Sequence, residues 1–279
     1  MALTTAHSAG VGSSLQASSR DWLCKMARLG YASRGVVYLA VGALAVMSAL
    51  GSGRGQTTGP RGALTVVGDG PFGTSILILL AIGLLSFAAW RLLQAYYDVD
   101  HKGREAKGIA ARGGQLVSAF IHLTLAIWVF TALTASGGGS GDDEGSHRWT
   151  AWLLDKPGGQ WLVGLVGLIV IGAGIGQIIK GYKAKFEDHL SLDYDRWPWA
   201  RAVCRFGLIA RGIVVGMIGG LFIRAAVRHS AGESGGVATV LRELQQQPWG
   251  WILLTVAALG LFAFGLYGLV EARYRRINL

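Results

Sequence analysis

Charge is what this 279-residue chain has least of: Asp, Glu, Lys and Arg make up only 15% of it, against about a quarter of a soluble domain. The placement of that charge decides the class. No charged side chain falls between Asp69 and Arg91, between Lys156 and Lys180, or between Glu243 and Glu271, and a helix crossing about 30 Å of hydrocarbon needs about 20 uncharged residues. Arg34 to Arg54, Arg112 to Asp142 (interrupted by His122) and Gly207 to Val227 (with Arg211 and Arg224 near its ends) bring the predicted spans to six. Barrel-type alternation is also absent, and backbone polar groups in lipid must pair within their own segment, so every span is predicted helical.

Other shortages exclude chemistry. Two cysteines, Cys24 and Cys204, both on the side read below as cytoplasmic, do not make a disulfide framework. His122 is the one histidine well inside a span. His7, His101, His147, His189 and His229 fall in loops, the tail or a helix end, so neither a multi-ligand metal site nor a two-histidine haem site is expected. No cofactor is predicted. The acids Asp142, Asp143 and Glu144 lack the alternation of a calcium loop, and Gly51 to Gln56 lacks the strand, lysine and helix of a phosphate loop. Both read as solvated linkers. The residues through Ser19 show no basic stretch followed by an apolar one, so no cleaved signal peptide is expected.

What is plentiful is base and glycine. Lys and Arg number 26 against 16 acids. Assigned by side, 19 lie before the first span, between the second and third, between the fourth and fifth, and after the sixth, while 7 lie in the other loops. The positive-inside rule then places both termini in the cytoplasm. The net charge of +10 is a topology signal and a match to acidic headgroups, so the lipid bilayer is the expected partner and nucleic acid is not. Trp149, Trp152, Trp161, Trp249 and Trp251 flank the outer span ends, and Trp22, Trp90, Trp197 and Trp199 the inner ones, as an interfacial belt would. Gly172 with Gly176, and Gly212 with Gly216, are candidate helix-packing pairs.

The chain also repeats itself. Gly30-Tyr31-Ala32-Ser33-Arg34-Gly35 parallels Gly207-Leu208-Ile209-Ala210-Arg211-Gly212, and the middle equivalent, from Gly114, has Ser118 for the arginine and Ala119 for the second glycine. Pro71-Phe72-Gly73, Pro157-Gly158-Gly159 and Pro248-Trp249-Gly250 follow those leading glycines by 41, 43 and 41 residues. Proline suits the first turn of a helix, so each is expected to start the second span of its copy. These landmarks resemble the bacterial membrane proteins of domain-of-unknown-function family 1206, over about Arg28 to Arg276. The resemblance implies a fold and a membrane location, and no catalytic residue. Taken together the expectation is all-α: a polytopic membrane protein of six transmembrane helices, as three parallel two-helix repeats in a pseudo-threefold bundle. The divisions are an N-terminal cytoplasmic segment 1–27 and repeats at 28–100, 110–186 and 203–276.

Six residues stand out as candidate structural or functional positions. Arg34, with Tyr38 four residues on in the same copy, and Arg211 enter their helices on the cytoplasmic side, and the second spans return there with Gln94, Lys180 and Glu271, so Arg211 with Glu271 is the expected ion pair of copy three. Arg224 lies about 20 Å further along its helix and is expected to snorkel outward with Arg228. His122 is expected to be buried and hydrogen-bonded. The stretches His101 to Arg112 and Lys180 to Arg205, mixed in charge, read as connections at the headgroups. The function expected is that of a structural, accessory or lipid- or partner-binding membrane protein, with a membrane-protein partner unidentified. The alternative is a channel or carrier along the repeat axis. No constellation for an enzyme is visible.

Overall fold

A computed structural model describes residues 4–51, 55–100, 103–134 and 141–277, with side chains from Asp21 onward. Arg54, His101, the side chain of His7 and parts of the two glycine-rich linkers lie outside the described residues. Among the described residues there are nine α-helices and no strand: α1 (Thr4–Ala49), α2 (Pro60–Gly68), α3 (Gly73–Tyr97), α4 (Ala106–Thr134), α5 (Glu144–Leu154), α6 (Gly159–Tyr182), α7 (Pro198–Arg228), α8 (Val237–Gln245) and α9 (Gly250–Tyr274). Six of them, α1 from Asp21, α3, α4, α6, α7 and α9, are long and apolar enough to cross a membrane. The short helices α2, α5 and α8 stand between the two spans of each copy, so a copy is span, short helix, span.

The Pro-x-Gly landmark makes that corner, and the prolines do not begin the second spans. The helices start at Gly73, Gly159 and Gly250, whose amides close turns on the carbonyls of Gly70, Lys156 and Gln247 at 2.9, 2.8 and 2.8 Å. The residue between is left-handed: Phe72 at φ 61°, Gly158 at 74°, Trp249 at 62°. A β-carbon on Gly73, Gly159 or Gly250 would lie 1.9, 1.8 or 2.1 Å from a carbonyl oxygen of the preceding short helix. Glycine is required there because the chain doubles back onto the end of that helix.

The spans follow one another around a horseshoe, α4–α3–α1–α9–α7–α6. That is the order of a pseudo-threefold ring of three hairpins, open at one seam: among the described residues α4 and α6, the two spans of the middle copy, do not pack along their length. The reason is visible in equivalent side chains. In copy one a β-carbon on Gly30 would sit 2.7 Å from the backbone of Phe87, and in copy three one on Gly207 would sit 2.4 Å from that of Phe264. Gly83 is likewise pressed on Ser33, and Gly260 on Ala210. The middle copy has Val117 and Ile169 at those last two positions, 58% and 61% exposed, and Gly114 faces open space. Two bulky residues replace a small-residue contact, and the hairpin stays apart.

Between copies the packing is tight. Gly167, Gly174 and Gly181 of α6 abut α7, with Gly212 and Gly219 facing back, a seven-residue spacing that keeps one seam against a neighbouring helix. Gly172 and Gly176, expected at a packing face, are exposed with nothing beside them. On the side of the short helices, the capped face, the interior is apolar: Val41, Leu44, Val214, Leu221, Leu254, Ala258 and Leu261 meet Ala63 of α2 and Val240 and Leu241 of α8. The opposite, terminal face carries the last described residues, after α9. There the stretch after α6 is no loose connection: Phe186, Leu190 and Tyr194 are buried against Cys204, Leu208 and Tyr267. The Ser191 amide donates to the Tyr274 carbonyl at 2.8 Å, tying that stretch to the end of α9.

Candidate functional site

Polar side chains of all six spans converge at the terminal-face half of the ring. Arg34, 6% exposed on α1, donates to Glu271 on α9 at 2.5 Å, and Glu271 also accepts from Arg275 at 2.8 Å and from the Tyr267 hydroxyl at 2.9 Å. The carboxylate expected to serve Arg211 therefore serves Arg34. Arg211 instead donates to Gln177 of α6 and, at 3.2 Å, to the Tyr38 hydroxyl. Both arginines reach the second span of the preceding copy because the inter-copy seams α9/α1 and α6/α7 are closer than the hairpins themselves.

The guanidinium groups stand against aromatic rings. Arg211 lies over Phe264 at 4.7 Å from its centroid and Arg34 over the same ring at 5.1 Å. Arg34 also lies over Phe87 at 5.0 Å, and Arg91 over Phe87 at 4.9 Å. Phe264 is thus shared by Arg211 and Arg34, and Phe87 by Arg34 and Arg91, and each ring attracts both of its guanidiniums. Phe87 and Phe264 each stand sixteen residues after their Pro-x-Gly proline, and Ala173 occupies that register in the middle copy. The middle copy has thus lost both members of the pair, the arginine to Ser118 and the phenylalanine to Ala173.

A second carboxylate, Asp100, accepts from Gln94 at 3.0 Å, Gln115 at 3.1 Å and Arg275 at 3.3 Å, joining α3, α4 and the C-terminal end. Burial opposes the charge on Arg275, yet Tyr31, Glu271 and Asp100 hold its guanidinium more basic than usual. Lys180 approaches the Tyr267 hydroxyl at 3.5 Å. His122 is buried, donating from Nδ1 to the Ser118 carbonyl at 2.7 Å with its ring on the edge of Phe87. Trp90, expected in the interfacial belt, is instead 1% exposed and donates to the Tyr31 hydroxyl at 3.2 Å. Among the described residues no group of three or more His, Cys, Asp or Glu is placed to hold a metal.

The cluster thus gathers five cations, Arg34, Arg91, Arg211, Arg275 and Lys180, around two carboxylates, Glu271 and Asp100. Its fixed groups are arginines, which hold planar anions through paired N–H donors and do not exchange protons near neutral pH.

The remaining candidate, Arg224, lies at the capped face, where it pairs with Glu243 at 2.5 Å and Glu233 at 2.7 Å; Glu233 also takes Arg228 at 2.8 Å. Those partners come from α8 and the loop before it, so Arg224 anchors a short helix to α7. The acidic loop is equally structural. Asp142 accepts from the amides of Gly59, Arg61 and Gly62 at 2.8, 2.7 and 3.1 Å, filling the orphan donors of α2. Asp143 accepts from the Gly236 amide at 2.8 Å and pairs with Arg242 of α8. Two adjacent acids therefore hold the three short helices together as one lid.

Comparison with known proteins adds the following. The pattern of the family described as Domain of Unknown Function (DUF1206) matches the chain three times, at residues 29–98, 113–184 and 206–275. A protein of Bacillus subtilis (strain 168), named uncharacterized protein YxxB, is 32% identical over 269 residues, covering 95% of this chain and 96% of its own length. No solved structure matches.

Proposed function

Since the chain belongs to the DUF1206 family, with three copies of that unit filling it from residue 29 to residue 275, we propose that it is a non-enzymatic binding protein of the bacterial plasma membrane, with both termini in the cytoplasm, rather than a conduit. The observation that carries the reading is the division of the ring interior. Convergent polar groups occupy only the terminal-face half, while the capped half is an apolar plug of Val41, Leu44, Val214, Leu221, Leu254 and Leu261 under a lid of three helices. A conducting path for a solute or ion needs polar groups or water along its length, broken at most by a short apolar constriction. The excess of Lys and Arg on the terminal-face side supports the orientation.

The test is thiol accessibility in a Cys24→Ala, Cys204→Ala background, with single cysteines at Tyr38, Val41, Leu44, Val214 and Leu221 and a membrane-impermeant reagent. The proposal expects labelling to stop at the level of Tyr38 from the terminal face, with none from either side at Leu44 or Leu221. A labelled stripe running through the capped half would replace the binding reading by the channel or carrier one.

A further inference from the structure

We infer that the terminal-face cluster is a binding site for a phosphate-bearing anion, held by Arg34, Arg91, Arg211 and Lys180; the inference rests on the binding reading above and names its ligand class. The two carboxylates present are already engaged by other donors. Glu271 accepts from Arg34, Arg275 and Tyr267, and Asp100 from Gln94, Gln115 and Arg275. Arg91, Arg211 and Lys180 are left with neutral acceptors: Gln94 at 3.2 Å for Arg91, Gln177 and Tyr38 for Arg211, and the Tyr267 hydroxyl at 3.5 Å for Lys180. The buried Nε of Arg34 and that of Arg91 have no hydrogen-bond partner at all, although Arg34 is more than nine-tenths buried.

Arg91, Arg211 and Lys180 are half-buried on membrane-spanning helices, where surplus positive charge is costly unless an anion joins it. A phosphate group suits what is missing. It brings up to two negative charges and several acceptor oxygens, and the guanidinium edge offers paired donors to just such a group. Arg34 shares Phe87 with Arg91 and Phe264 with Arg211, which gathers three arginines in one region before the ligand arrives.

The approach is sideways. Gln115 and His122 of α4 and Gln177 and Lys180 of α6 stand on the two spans that fail to meet, and the apolar side chains of Val117 and Ile169 are exposed there. A phospholipid in the surrounding leaflet can bring its headgroup phosphate to the cluster through that seam with its chains still in hydrocarbon. Free phosphate or a soluble phosphate ester offers the same chemistry from the aqueous side, and the experiment separates the two.

Full-length protein, freed of lipid in a neutral maltoside detergent, is titrated with short-chain phosphatidylglycerol, short-chain phosphatidylcholine or inorganic phosphate, and affinity is read from the ligand dependence of thermal unfolding. The expected result is phosphatidylglycerol binding at least about tenfold tighter than phosphatidylcholine. In Arg91→Gln that affinity falls about tenfold or more, the effect of one charge-assisted hydrogen bond, while Arg228→Gln at the capped face binds as wild type does. Arg34→Gln is the second variant; Arg91→Gln decides the matter if Arg34→Gln does not fold. Protection by inorganic phosphate with the same sensitivity to Arg91→Gln keeps the site and assigns it to a soluble phosphate species. Indistinguishable lipids with no phosphate effect, or an unchanged affinity in Arg91→Gln, overturns the inference and leaves the dry capped half, tested separately by thiol labelling, untouched. Labelling through that half would overturn the binding reading whatever the anion does.

Discussion

Glu271→Gln is the most informative single substitution. The side chain is 2% exposed and accepts from Arg34 at 2.5 Å, Arg275 at 2.8 Å and Tyr267 at 2.9 Å. Glutamine keeps the volume and one acceptor but cancels the charge and turns an amide donor toward a guanidinium. Removing one partner of a buried ion pair costs about 3–5 kcal/mol, because the other charge is left in a poor solvent. At roughly 2–4 °C per kcal/mol for a chain of a few hundred residues, the unfolding midpoint in detergent is expected to fall by on the order of 10 °C. Arg211→Gln provides the contrast: its acceptors are neutral and it belongs to a surplus of cations, so its loss is expected to cost less than about 1.5 kcal/mol in the absence of ligand. Combining Glu271→Gln with Arg34→Gln is expected to cost less than the two singles added, by about 1–3 kcal/mol. If Glu271→Gln melts within about 2 °C of wild type, or Arg211→Gln falls as far as Glu271→Gln, the electrostatic account of the cluster is wrong.

Three other outcomes follow from the same geometry. Gly207→Leu drives a side chain into the backbone of Phe264 and is expected to cost at least about 1–3 kcal/mol, whereas Gly114→Leu at the equivalent open position is expected to stay within about 0.5 kcal/mol; thermal unfolding of the pair measures the difference. Asp142→Ala removes the cap of α2, and amide exchange at Gly59, Arg61 and Gly62 is expected to quicken about fivefold, the equivalent of roughly 1 kcal/mol. Glu243→Gln leaves Arg224 its second partner, Glu233, at a part-exposed site, and a melting point within about 2 °C of wild type is expected; a larger fall would mean that this pair, rather than the two aspartates, holds the lid.

The spans, their number and the threefold repeat were legible because long charge-free stretches and recurring Gly and Pro landmarks are local signals. The short helices were not. Their sequences, such as Val237–Gln245, are amphipathic over only two or three turns, those of α2 and α5 follow glycine-rich stretches that read as linkers, and α2 is capped from another copy by Asp142, 80 residues or more away in sequence. The pairing of Arg34 with Glu271 was missed for a related reason: copies pack more closely on their neighbours than within themselves, and spacing inside one copy carries no information about that. Phe87 and Phe264, at one register in two copies, were a signal the sequence did contain. Arg91 and Arg275 were hidden in the topology count, where a charge near a span end is assigned to the headgroups whether or not its side chain turns inward.

The open seam of the middle copy supports both the sideways approach and the asymmetry of the ring, and paired cysteines test it directly. A disulfide needs α-carbons within about 7 Å and β-carbons about 3.5–4.5 Å apart; a β-carbon on Gly30 would lie 2.9 Å from that of Phe87, so this seam needs to part only slightly to bridge, while Gly114 and Ala173 hold the equivalent positions in the middle copy. In a Cys24→Ala, Cys204→Ala background under mild oxidation, Gly30→Cys with Phe87→Cys is predicted to bridge and Gly114→Cys with Ala173→Cys to stay reduced. Equal bridging of the second pair would contradict the account, because the middle hairpin would then be closed like its neighbours.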